Sequence, residues 1–199
     1  MINQQHQTLH QASFGFNPFS RYFMLSLASF EYFSIQGVPF ILFAWVGMWV
    51  LRPIATLLHE LGHGILAWAL TNDEVAVRAG KVSGKQFRVS KRFSIEFSFR
   101  NGQEGCTRYT EAKSSIFSRF LILLGGPSAS LFFMVQSGYL LFSQTLNLWV
   151  ELPLISWFCC NALGFLRAVI PMRLKATESF PDGPPSDGLQ VYKLFFRKN

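Results

Sequence analysis

Apolar residues dominate three long stretches of the chain, and polar residues are gathered in blocks between them. From Gly37 to Leu70 the sequence is almost continuously hydrophobic, broken by Arg52-Pro53 and by two histidines and a glutamate in LLHELGHGILAWAL. Ile116 to Phe142 is a second such run, and Leu146 to Met172 a third. About 20 apolar helical residues cross a bilayer, so each run predicts a membrane helix. The first run is longer than one crossing needs. It fits either one long helix kinked at Pro53 or a short segment ending near Arg52 and a new helix opening on Pro53. Trp149 and Trp157 suit interfacial anchors in the third run.

The blocks between the runs have their own patterns. Thr71-Asn72-Asp73 closes the first run with turn-forming residues. Residues 75–110 are then rich in Val, Phe, Ile and Thr, and FSIEFSF sets Phe93, Ile95, Phe97 and Phe99 against Ser94, Glu96 and Ser98. Period two marks half-buried strands, and Gly84 and Asn101-Gly102 punctuate them, Asn-Gly being a strong hairpin signal. This region predicts a small antiparallel sheet. After the third run comes the Pro/Gly-rich turn ESFPDGPPSDG, then LQVYKLFF, a short apolar helix. At the other end, residues 1–21 form a polar tail. Its His6 and His10 stand four apart, but with no acid or apolar helix beside them they read as solvated. The mixed run from Tyr22 to Gln36, with Glu31 in its middle, lies in the interface or forms an extra N-terminal membrane helix. The organisation is therefore a tail and a single membrane domain over 22–199, with a β-rich insertion at 75–110 and a terminal Asp-Gly turn and short helix at 176–199.

Composition agrees with a mainly α, multi-pass membrane protein. Half of the 199 residues are hydrophobic and 15% are charged, against about a quarter in soluble domains. The net charge of +7 would suit nucleic acid or anionic lipid, but no basic stripe with interleaved aromatics lies outside the apolar runs. Nucleic acid is discounted, and the basic residues read as topology signals. Ten of them lie between Arg78 and Arg119, none in the turn from Ser143 to Asn147, and others follow from Arg173 onward. That bias puts the sheet and the C-terminus on the cytoplasmic side, most simply of a cell (inner) membrane. Cys106, Cys159 and Cys160 form no CxxC pair, which argues against a thiolate zinc knuckle or redox motif. The N-terminus lacks the layout of a cleaved signal peptide.

His59-Glu60-Leu61-Gly62-His63 is HExxH. Residues four apart share a helix face, so both imidazoles can reach one metal ion. Glu60 is rotated away from ligation but can reach a water on that ion. There it serves as general base and then proton donor. Zinc brings the pKa of such a water to about 7, which makes it a nucleophile for a peptide carbonyl. Ionisable groups in an apolar helix are costly and usually functional. A catalytic zinc takes three protein ligands. From the second apolar run onward the acids are Glu151, Glu178, Asp182 and Asp187. Glu151 belongs to the far side. Asp187 directly precedes the terminal apolar segment and is favoured over Asp182, whose PDG reads as an ordinary turn.

HELGH in an apolar helix, Gly126-Pro127 within LLGGPSAS, and a late Asp-Gly after FLRAVIPM together resemble the site-2 protease family of membrane zinc metalloproteases. The similarity runs from about Val38 to Leu194. It implies a three-helix catalytic core entered from the cytoplasmic side, one Zn2+ held by His59, His63 and Asp187, and Glu60 activating the water. It further implies a membrane-associated peptide or protein substrate, bordered by the β-structured segment and held there by strand addition. The chain departs from the family pattern at RAVIP, where Ala168 replaces the usual asparagine and Asn161 lies earlier. The gap from Pro171 to Asp187 is also long, and there is no PDZ-like domain. Gly125, Gly126 and Ser130 read equally as helix-packing residues and as parts of the site. A non-proteolytic binding or scaffold relative with a structural metal is the alternative function. Oligomeric state is not legible.

Overall fold

The structure, a computed structural model, describes residues 38–80, 85–100, 102–110, 114–176 and 181–196. The expectations for the tail, His6, His10, the 22–36 segment, Gly84, Asn101 and Glu178 lie outside the described residues. Leu42–Asn199 forms one compact unit.

The first hydrophobic run is one uninterrupted helix, α1 (Val38–Leu70), with Pro53 inside it. Proline forfeits a backbone hydrogen bond there, and its buried ring packs against the backbone at Gly102. The second run is α2 (Ile116–Ser143), whose N-cap Ser115 accepts from the Ser118 amide. The third is α3 (Leu148–Val169), capped by the Asn147 side chain. All three are long and apolar enough to cross a membrane. Trp149 is exposed, and Trp157 is half-buried and packs edge-on against the Phe133 ring of α2, with 5.7 Å between centroids. The terminal helix α4 spans Asp187–Phe196.

Between α1 and α2 lie β1 (Val75–Ala79), β2 (Lys85–Ser90), β3 (Phe93–Phe97) and β4 (Gly105–Arg108). They form one sheet in the order β2-β3-β1-β4. The sheet is mixed rather than antiparallel: β1 and β3 pair in parallel, with Val75 opposite Phe93, while the other pairs are antiparallel. The tight hairpin turns at Lys91-Arg92, between β2 and β3. The strands on either side of Asn101-Gly102 are not neighbours, because β1 lies between them. Burial explains this arrangement. β1 is the most apolar strand, and Val75 and Val77 join Ala67 of α1, Phe93 and Ile122 of α2 in the buried core. A central position for β1 buries both its edges and one face. Gly64 of α1 permits the approach, since a methyl group there would run into Val77 and press on Phe93.

Candidate metal centre

The site is built where α1 and α2 touch most closely. A methyl on Gly62 would strike the Gly125 carbonyl, and one on Gly125 would strike the Gly62 carbonyl, so the two backbones are in contact. One residue on, Gly126 faces the imidazoles themselves: a Cβ there would collide with Nε2 of both His63 and His59. The pair Gly125-Gly126 thus combines the two roles that the sequence left in balance, the first packing helices and the second leaving room above the histidines.

His63 is buried, and its Nδ1–H donates to the Ile122 carbonyl at 2.7 Å. A carbonyl only accepts, so this bond places a proton on Nδ1, and the neutral ring then carries its lone pair on Nε2. Nδ1 of His59 lies 2.9 Å from the Ser130 hydroxyl, which can accept in the same way. The two rings meet edge to face, 5.0 Å apart. Both Nε2 atoms point at a single oxygen of Asp187, at 3.2 Å from His59 and 3.4 Å from His63. Lone pairs facing a carboxylate oxygen repel, so either a proton on Nε2 or a metal ion belongs between them. Zinc bonds of 2.0–2.1 Å in a tetrahedron would separate neighbouring ligand atoms by about 3.3 Å, close to both spacings. His59, His63 and Asp187 lie close enough to hold one metal ion, their ligand atoms all within 4.8 Å of one another. Burial alone would raise the Asp187 carboxyl, but with protons on Nε2 in place of an ion, the hydrogen bonds and charges of the two imidazoles hold it well below the usual carboxylate range.

Asp187 reaches this point through a closed loop. Residues 172–174 run back along 184–186: Ser186 N–H donates to the Met172 carbonyl at 2.9 Å and Leu174 N–H to the Pro184 carbonyl at 2.8 Å. Within the long gap between Pro171 and Asp187, the described residues 172–174 and 184–186 therefore run side by side and return the chain to the end of α3. Gly183, at φ +76°, lies on the returning arm, and a side chain there would strike the Leu174 carbonyl. Ser186 completes the closure. Its buried hydroxyl donates to the Ile170 carbonyl at 2.7 Å and accepts from the amides of Met172 and Leu189. It caps α4 and ties it to α3. Asp182 is exposed in the preceding turn and lies outside the cluster.

Glu60 stands apart from the three ligating atoms and faces the sheet. Thr107 of β4 donates its hydroxyl to Glu60 Oε2 at 2.7 Å and lies 3.0 Å from the Glu60 backbone carbonyl. Gly105 of the same strand has no side chain because the Glu60 carboxylate occupies that space. A cavity of about 800 Å³ opens here, lined by His59, Glu60, His63, Thr107, Ser130 and Asp187 among others.

Sequence reading missed Thr107, the Ile122 carbonyl and Ser186. The first two carry no sequence signal, since they act across 47 and 59 residues of chain. Ser186 did carry one: a serine immediately before an apolar helical run is an N-cap signature. Compared with models of known protein families, with curated proteins and with solved structures, the chain matches none.

Proposed function

We propose that the chain is an intramembrane zinc metalloendopeptidase, similar to the site-2 protease family, that cuts membrane-associated substrates from the cytoplasmic side. The observation that carries this reading is the convergence of His59 Nε2, His63 Nε2 and Asp187 within 4.8 Å, together with a separate carboxylate, Glu60, on the wall of the same cavity. A purely structural ion needs no such base, which favours hydrolysis over a scaffold role.

His59, His63 and Asp187 would hold the ion, with Ile122 and Ser130 orienting the imidazoles through Nδ1. A bound zinc would supply Lewis-acid polarisation of a water and of the scissile carbonyl. Glu60 takes a proton from the attacking water and passes it to the leaving nitrogen as the C–N bond breaks. Thr107 holds the Glu60 carboxylate toward the cavity. Three helices apolar enough to cross a membrane, and the basic residues around the sheet, support a multi-pass placement with the site near the cytoplasmic surface.

The direct test is Glu60→Gln in the full-length chain, with zinc content and peptide cleavage measured in parallel. Zinc should stay bound at one per chain while turnover falls by at least about a thousandfold, the scale on which a required base acts. Turnover equal to wild type would rule the mechanism out. Asp187→Ala should release zinc and Asp182→Ala should not.

A further inference from the structure

Three arginines line the same cavity and have no role in the chemistry above: Arg78 comes from β1, and the other two come from the helices. Arg52 lies inside α1 and Arg167 near the end of α3, both within helices of membrane-crossing character. Neither makes a hydrogen bond or ion pair with any described residue, although each lies within range of the other's charge. Two like charges set together inside apolar helices are expensive, and such residues usually mark the path of a ligand of opposite charge.

Their placement follows from how α1 and α3 pack. The Ser156 hydroxyl donates to the Ala44 carbonyl and the Cys160 thiol to the Met48 carbonyl, both across 112 residues. The two helices therefore run side by side in a constant register. Carried one turn further, that register sets Arg52 level with Gly164, a cavity-lining residue without a side chain, and Arg167 between the levels of Arg52 and His59. Seven residues separate Arg52 from His59, two turns along nearly one helix face, or about 10 Å. An extended peptide covers that distance in about three residues.

We infer that Arg52 and Arg167 form a carboxylate-binding fork that selects peptides carrying an acidic side chain or a C-terminal carboxylate about three residues from the bond to be cut. The inference rests on the peptidase reading. Guanidinium groups match carboxylates through paired, charge-assisted hydrogen bonds. A phospholipid phosphate offers similar chemistry, but a lipid has no amide bond to present to the triad. A carboxylate belonging to the substrate occupies the fork and the triad at once.

The test uses full-length protein in nanodiscs and uncharged apolar peptides in which a single Asp, or its Asn counterpart, is moved along the sequence. Binding is measured on Glu60→Gln and cleavage on wild type. The Asp peptides should bind about ten- to hundredfold more tightly than the Asn peptides, the scale of a hydrogen bond to a charged group. Cleavage should fall about three residues from the Asp. Arg52→Gln and Arg167→Gln should each bring the Asp-to-Asn ratio towards one. Arg52→Lys, which keeps the charge, should retain part of it and so separates loss of selectivity from misfolding. Equal binding of Asp and Asn peptides overturns the fork. So does an anionic phospholipid that remains on wild type but not on the arginine variants while the peptides show no acid preference. Cleavage without acid preference would sink the fork alone. Acid-selective binding without any cleavage would support the fork and sink the peptidase reading.

Discussion

The Thr107 hydroxyl donates to Glu60 Oε2 at 2.7 Å, which joins the edge strand of the sheet to the carboxylate proposed to carry the proton. On the proposed mechanism Thr107 positions Glu60, so its loss should disturb the aim of Glu60 and leave the ion in place. Thr107→Val is expected to lower kcat about ten- to hundredfold with zinc content unchanged. Thr107→Ser, which restores the hydroxyl, should recover most of that rate. An equal loss in the Val and Ser variants would show that the methyl packing of Thr107 matters and its hydroxyl does not.

Gly126 lies against both Nε2 atoms, so even one added carbon should displace them. Gly126→Ala is expected to abolish zinc retention, read by elemental analysis of the purified protein. Gly138→Ala, further along α2, meets only the edge of the Phe158 ring at 3.2 Å and should retain zinc. Normal zinc content in Gly126→Ala would mean that the ion is bound elsewhere.

Ser186 joins three backbone groups across two segments. Removing its buried hydroxyl leaves the Ile170 carbonyl and the amides of Met172 and Leu189 without that partner. Ser186→Ala should cost about 1–3 kcal/mol in stability and weaken zinc affinity, because Asp187 is the next residue. Thermal unfolding followed with and without chelator separates the two effects: the loss of Tm should be present in both, and the gain on adding zinc should be smaller than in wild type.

Sidedness has its own test. In a background without Cys106, Cys159 and Cys160, single cysteines replacing the exposed residues Arg88 and Thr145 should react with an impermeant thiol reagent from opposite faces of the membrane. Arg88 should be reached from the cytoplasmic face. Labelling of both from one face would contradict the arrangement of α2 as a crossing.

The legible parts of the molecule were those set by local pattern. Runs of apolar residues delimited α1, α2 and α3, and period two delimited strands around Phe93 and Ile95. The four-residue spacing of His59 and His63 placed both imidazoles on one face of a helix whatever surrounds it, and these facts depend only on backbone geometry. What the local pattern did not contain was pairing over long separations. The Asn101-Gly102 signal was overridden because β1 gains more by lying centrally, packed on Ala67 and Ile122, than a β3-β4 hairpin would gain by its turn. The local pattern likewise left open whether the run breaks at Pro53; the helix continues through it, with the proline ring against Gly102. Asp187 is 128 residues from His59, and only the Ser186 closure and the ribbon at 172–174 and 184–186 bring its oxygen within 3.2 Å. The sequence by itself determined which side chains can ligate and which segments are apolar, because those are properties of residue type and helical period. The tertiary structure decided which acid joins the histidines, which hydroxyl aims Glu60 and where the strands pair, because those follow from competition for burial among segments far apart in the chain.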